Sequence, residues 1–264
     1  MNSETKNNKQ SKADAFLRLL DIMDDLRAKC PWDMKQTNNT LRILTIEETY
    51  ELSDAILSAN DEDIKEEIGD IMLHMVFYAK IAEEKGAFDI SQSLNQICEK
   101  LIKRHPHIYG NVTVKNEADV KKNWEQIKLS EGKKSVLSGV PNSLPAMVKA
   151  YRMQEKTAQF GFEWKDKKDV WAKVEEEITE FKEVIESMDQ ERKEEEFGDI
   201  LFSMINYARF EGINPETALE RVNRKFKKRF EYIENNANTS LTEMTLEEMD
   251  VLWNLAKLEP DTKN

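Results

Sequence analysis

Residues Glu47–Lys80 read EETYELSDAILSANDEDIKEEIGDIMLHMVFYAK, and residues Glu176–Arg209 read EEITEFKEVIESMDQERKEEEFGDILFSMINYAR. At a constant shift of 129 residues, 14 of 34 positions are identical without a gap. Chance likeness between two acidic helices would not keep every carboxylate in step. Internal duplication is the better account, and two similar domains follow from it. Each copy reads as two helices joined by a short turn. In the first, Leu44, Leu52 and Ile56 fall near helical spacing and predict a helix over about 40–58. Asn60-Asp61 interrupts it. Asp61 is suited to cap a second helix over about 62–85, which ends near Gly86. After Asp70 that helix is apolar on most sides, which predicts a central place in a bundle. In the second copy Met188-Asp189-Gln190 marks the break and Gly212 the end.

Working outward, a helix over about 91–104 stops before Pro106, and one over about 215–235 has Pro215 in its first turn. Two more are expected over about 117–129, carrying Trp124, and over about 246–258, carrying Trp253. Residues 131–146 hold a stretch rich in Gly, Ser, Lys and Pro, which reads as a linker. The expected organisation is a disordered polar tail over 1–12, a helical domain over 13–130, the linker over 131–146, and a second helical domain over 147–264. The composition agrees with this all-α class. Of 264 residues, 34% are charged and 39% hydrophobic, with only 8 Gly and 6 Pro, a balance that suits long amphipathic helices better than turn-rich sheets. A net charge of −12 argues against binding a nucleic-acid duplex over the whole surface. Cys30 and Cys98 form no disulfide framework. The most apolar run, 71–82, contains His74 and Lys80 and is too short to span a bilayer. A soluble, cytoplasmic protein is expected, with no membrane or nucleic-acid partner.

Both copies carry Glu-x-x-Glu, fifteen residues, then Glu-x-x-Asp: Glu48, Glu51, Glu67 and Asp70 in the first, Glu177, Glu180, Glu196 and Asp199 in the second. Residues three apart on a helix point to nearly the same side, and a short turn makes the helices antiparallel neighbours. If the acidic faces meet, four carboxylates converge. Two carboxylates about 4 Å apart repel by roughly 4 kcal/mol at an effective dielectric near 20. Such a cluster binds cations or holds protons, and oxygen-only ligands suit Mg²⁺, with Mn²⁺ a possible substitute. A solvated acidic helix face explains a single ExxE motif better than metal binding does. Repetition of all four positions reverses that preference. Gly69 and Gly198, beside Asp70 and Asp199, suggest close approach by another helix or a ligand.

Lys100-Leu-Ile-Lys103-Arg104 and Lys225-Phe-Lys-Lys228-Arg229 share the pattern Lys-apolar-x-Lys-Arg, which fits phosphate oxygens or a solvated basic face. Trp253 is open to two readings, a base-stacking surface or a core seal. His105-Pro106-His107 has no counterpart in the second half and reads as structural. No Walker-type loop, CxxC or Ser/His/Asp arrangement is present in the sequence. A di-iron carboxylate bundle would place histidine where Asp70 and Asp199 stand, and a non-catalytic helical or nucleotide-sensing module would bind nucleotide without hydrolysis.

The repeated EExxE and EExGD blocks, Cys30-Pro31-Trp32-Asp33 with Gln36-Thr37, and Lys103-Arg104-His105-Pro106-His107 together resemble the MazG family of nucleoside triphosphate pyrophosphohydrolases over nearly the whole chain. The resemblance implies tandem all-α domains, a homodimer, Mg²⁺ dependence, broad nucleotide specificity, and hydrolysis to a monophosphate and pyrophosphate, with a possible house-cleaning role in nucleotide pools. It places the main active site in the C-terminal half. There Glu177, Glu180, Glu196, Asp199 and Glu195 match metal positions, with Glu177 or Glu180 acting on the water. Lys173, Glu176, Arg192, Lys193, Lys225, Lys228, Arg229 and Trp253 match substrate positions. Asn38-Asn39 departs from the histidine the family pattern places after Gln-Thr.

Overall fold

A computed structural model of the protein describes residues 3–131, 135–187 and 189–259. Among the described residues all regular structure is helical. In chain order the helices are α1 (Ser3–Lys29), α2 (Asn38–Ser58), α3 (Asp61–Glu84), α4 (Ile90–Arg104), α5 (Pro106–Tyr109), α6 (Glu117–Ser130), α7 (Ala146–Ala158), α8 (Lys167–Val184), α9 (Gln190–Phe210), α10 (Pro215–Asn236) and α11 (Leu246–Ala256). Short 3₁₀ turns occur at Asp33–Lys35, Val136–Gly139 and Leu241–Glu243. No helix among the described residues is long and apolar enough to cross a membrane.

The chain divides into two compact units, the first ending at Tyr109 and the second beginning at Gly110. This moves the division away from the expected linker. Helix α6 belongs with the second unit because Glu125 on α6 pairs with Lys156 of α7 at 3.3 Å and with Lys128 at 2.6 Å. Within 131–146, residues 132–134 lie outside the described residues. The 3₁₀ turn at Val136–Gly139 packs on α7. The expected polar tail is also shortened. Helix α1 begins at Ser3, since that polar segment contains no Gly or Pro and carries three Lys, which tolerate helix well.

In unit 1, α2 and α3 form a hairpin that packs with α1 around a core of Met23, Leu41, Val76, Phe77 and Ile81. Thr45 and Tyr78 join the two helices through their hydroxyls at 2.7 Å. The cap of α3 is Asn60, which accepts from the Glu62 amide; Asp61 is the first helical residue instead of the cap. Ala59, at the end of α2, takes a left-handed backbone with φ +55°. In unit 2, α8 and α9 form the corresponding hairpin, with Val170, Val174, Val184 and Ile205 buried. Asp189 caps α9 by accepting from the Arg192 amide, at the position aligned with Asn60. Met188, expected to begin this break, lies outside the described residues. Gly86 and Gly212 follow the ends of α3 and α9 at φ +66° and +70°, the left-handed conformation that stops a helix.

Helix α3 is not covered on all sides. His74, Val76, Phe77, Ala79, Ile81 and Ala82 are buried, but Ile68, Met72 and Met75 are exposed. Shifted by 129, Phe197, Leu201 and Met204 form the same exposed stripe on α9.

Candidate active site

Residues three apart on an α-helix are separated by about 60° around its axis, so one member of each Glu-x-x-Glu pair faces the partner helix more directly. In unit 1 the carboxylate oxygens of Glu48 on α2 and of Glu67 and Asp70 on α3 lie within 4.8 Å of one another, and all three side chains are half-buried. In unit 2 the matching group is Glu177 on α8 with Glu196 and Asp199 on α9, also within 4.8 Å. Glu177 is buried, Glu196 half-buried and Asp199 exposed. In each unit three of the four expected carboxylates lie this close to one another. Glu51 and Glu180 are exposed beside them and hydrogen-bond to Glu48 and Glu177.

The electrostatics follow from this crowding. Burial pushes the Glu48 carboxyl up to about 7, reinforced by Asp70 and Glu51. Burial also raises Glu67, helped by the charges of Glu51 and Asp70. Glu180 is raised chiefly by its hydrogen bond with Glu177. The two units differ in counter-charge. Lys173 Nζ lies 2.7 Å from carboxylate oxygens of both Glu176 and Glu177, and these contacts hold the ammonium well above its usual range. The aligned residue in unit 1 is Leu44. There, no lysine or arginine pairs with the triad among the described residues.

The other expected contacts are distributed around unit 2. Arg192 stands 4.0 Å from Glu196. Glu195 is exposed at the start of α9, and Lys193 is half-buried. Lys225 and Lys228 are exposed on α10, which contacts α9. Trp253 on α11 is half-buried. Its ring is 5.3 Å from that of Phe226, and the Arg229 guanidinium lies over it at 5.4 Å. It thus packs against α10 while keeping part of its surface open. Gly69 and Gly198 have nothing within 4 Å of where a Cβ would sit, so among the described residues no other helix approaches them there. His105 acts structurally, its Nδ1 lying 2.7 Å from the Leu101 carbonyl oxygen at the end of α4.

Two features escaped sequence reading. His74 is buried on α3, where burial favours its neutral form against the charge of Asp70; its signal was its place four residues after Asp70 with no histidine in the second copy. Lys156, 3% exposed, gave no signal, because its partner Glu125 lies on a helix assigned to the other domain.

The MazG nucleotide pyrophosphohydrolase domain matches the chain over residues 36–109 and 166–234, the two segments that carry the hairpins. The chain is 44% identical over 250 residues to the nucleoside triphosphate pyrophosphohydrolase/pyrophosphatase MazG of Thermotoga maritima, covering 92% of this chain and 95% of that protein. It is 40% identical over 252 residues to the nucleoside triphosphate pyrophosphohydrolase of Escherichia coli strain K12, covering 91% and 96%.

Proposed function

The chain belongs to the MazG nucleotide pyrophosphohydrolase family, and from that premise we propose that unit 2 hydrolyses nucleoside triphosphates to a monophosphate and pyrophosphate. The observation that carries this reading is the Glu177, Glu196, Asp199 triad, with Lys173 against its buried member, inside a segment that matches the family. Three convergent carboxylates are hard oxygen donors and fit Mg²⁺, with Mn²⁺ as a substitute. When bound, Mg²⁺ supplies charge neutralisation for the phosphate oxygens.

The chain's own groups do the rest. Glu180, raised by its bond with Glu177, accepts the proton of the attacking water. The water oxygen forms a bond to the α-phosphorus, and the α–β anhydride bond breaks with its electron pair going to pyrophosphate. Lys173, Arg192 and Lys193 on one side, and Lys225, Lys228 and Arg229 on α10, balance the charge of the triphosphate. Trp253 offers a flat face to the base. A stacking contact without an edge-reading pocket suits broad nucleotide specificity, consistent with a cytoplasmic enzyme that cleans nucleotide pools.

A homodimer is part of this reading. The stripes Ile68/Met72/Met75 and Phe197/Leu201/Met204 sit on the site helices, and such repeated apolar rows favour cover by a second copy. The test is pyrophosphate release from a panel of nucleoside triphosphates, with and without Mg²⁺, for the wild type and Asp199→Ala. Metal-dependent release that disappears in the variant supports the assignment. Release that survives moves the activity to unit 1, and no release from any nucleotide favours a nucleotide-binding module.

A further inference from the structure

Helix α10 repeats α4 at a shift of 125 residues, and the two copies differ along one face. In unit 1 the apolar row is Leu94, Ile97 and Leu101. In unit 2 it is Leu219, Val222 and Phe226, followed by Phe230 where unit 1 has His105. Aliphatic side chains are enough for helix packing, yet unit 2 has phenylalanine at both of the last two places. Residues 221–230 also carry six cations and no carboxylate, against three cations and one carboxylate over 96–105. Arg221 stands where unit 1 has Gln96, Arg224 where it has Glu99, and Lys227 where it has Ile102. Arg224 and Lys227 pair along the helix with Glu220 and Glu231. Arg221, Lys225 and Lys228 are four and three residues apart, so they share one side of α10, and all three are exposed. They cover about 10 Å of helix, room for successive phosphates. Beside them runs an aromatic row. Phe226 is 59% exposed and Phe230 37%, and their rings lie within 4° of parallel with centroids 6.3 Å apart. Trp253 of α11 adds a third ring 5.3 Å from Phe226, beneath the Arg229 guanidinium.

We propose that this face of α10 and α11 binds single-stranded nucleic acid, which competes there with nucleoside triphosphate. The competition rests on the reading of unit 2 as a triphosphate hydrolase; the binding does not. A lone nucleotide needs one ring and the cations around its phosphates. Three rings in a row beside a cationic stripe match a strand, whose backbone follows the cations while successive bases stack on the rings. A duplex keeps its bases stacked inside and offers those rings no face. The expectation of no nucleic-acid partner rested on the net charge of −12, which opposes a duplex spread over the whole surface. It does not describe this stripe, where ten residues hold six cations. A strand seated on Lys225, Lys228 and Trp253 covers the groups assigned to the phosphates and the base, and so excludes the nucleotide.

The test uses the full chain and a fluorescein-labelled oligouridylate with no terminal phosphate, followed by anisotropy over a range of salt concentrations. The expected result is binding that weakens with salt, and weaker binding of a duplex of the same length. Arg221→Gln, which installs the unit 1 residue, should flatten the slope of log affinity against log salt by about 0.7, the loss of one phosphate contact on a single strand. Phe230→Leu keeps an apolar side chain and should weaken the strand roughly fivefold or more. Neither residue is assigned to the triphosphate, so hydrolysis of nucleoside triphosphate by both variants should match the wild type. Added oligouridylate should raise KM for the triphosphate without lowering kcat. No strand binding at low salt, equal binding of the duplex, or binding indifferent to both substitutions would overturn the proposal. So would binding to anionic phospholipid vesicles in place of the strand, or a changed oligomeric state in Phe230→Leu with strand binding intact. Strand binding without any triphosphate hydrolysis would overturn the hydrolase reading and leave the strand site standing. Strand binding with KM unchanged would overturn the competition.

Discussion

Glu48→Gln should make the metal-free protein more stable. In the folded chain the Glu48 carboxyl titrates near 7 because it is partly buried among Asp70, Glu51 and Glu67; in the unfolded chain it titrates near its ordinary 4.5. Below 4.5 the group is protonated in both states and folding is not penalised. As pH rises from 4.5 to 7 the unfolded chain loses the proton first, and the penalty grows until it is complete above 7. Unscreened, that shift corresponds to roughly 3 kcal/mol. Glu48 is only half-buried, so solvent screening reduces the figure to about 1–2 kcal/mol. Urea unfolding in EDTA, followed by helical circular dichroism, measures it. The variant should exceed the wild type by about that amount at pH 8, with most of the gap closed at pH 5. Saturating metal should reverse the order, since the wild type alone gains the full binding free energy. A variant no more stable than the wild type at pH 8 without metal would refute the idea that the cluster strains the empty fold.

Glu180→Gln should lower kcat by roughly 10²–10⁴-fold, the range of a lost proton acceptor, with unchanged helical dichroism; near-normal turnover removes Glu180 from the chemistry. Trp253→Ala should raise KM more than it lowers kcat for every base, and a base-dependent loss would show that stacking is not the main contact. Glu125→Ala strands Lys128 and Lys156 together, with Lys156 almost fully buried, and should destabilise unit 2 by about 3–5 kcal/mol. Lys156→Met leaves the Glu125–Lys128 pair and should stay within about 1 kcal/mol of the wild type. Ala59→Gly should stabilise unit 1 by roughly 1 kcal/mol, because Ala59 holds a left-handed backbone that glycine adopts freely. Thermal unfolding checks these last three.

The hairpins were legible because duplication and helical period reinforce each other. Helices α2, α3 and α10 start and stop within about two residues of expectation, and Gly86 and Gly212 end α3 and α9 as read. Asn60 was missed as the cap because Asn and Asp stood side by side, and only backbone geometry separates the last residue outside a helix from the first inside. The division between units was misplaced because Gly and Pro mark a turn without saying on which side the neighbouring helix packs. That was decided by Glu125 and Lys156, 31 residues apart in sequence. The carboxylates were legible as a set. Which three approach closely depends on helix rotation, and the motif spacing places Glu51 and Glu180 as favourably as Glu48 and Glu177.

Gly69 and Gly198 have one more consequence. Each lies inside a helix, next to a carboxylate that belongs to a triad, and an added methyl would meet nothing at either place. Alanine would strengthen each helix by about 1 kcal/mol, so the fold tolerates two weak spots that its own packing does not require. Those turns should breathe more readily than their neighbours. Amide hydrogen exchange at residues 69–73 and 198–202 should run faster than in the turns that follow them, and slow when the adjacent carboxylates are engaged. Backbone motion would then be concentrated at the ligands, in the middle of two otherwise rigid rods, and not at their frayed ends.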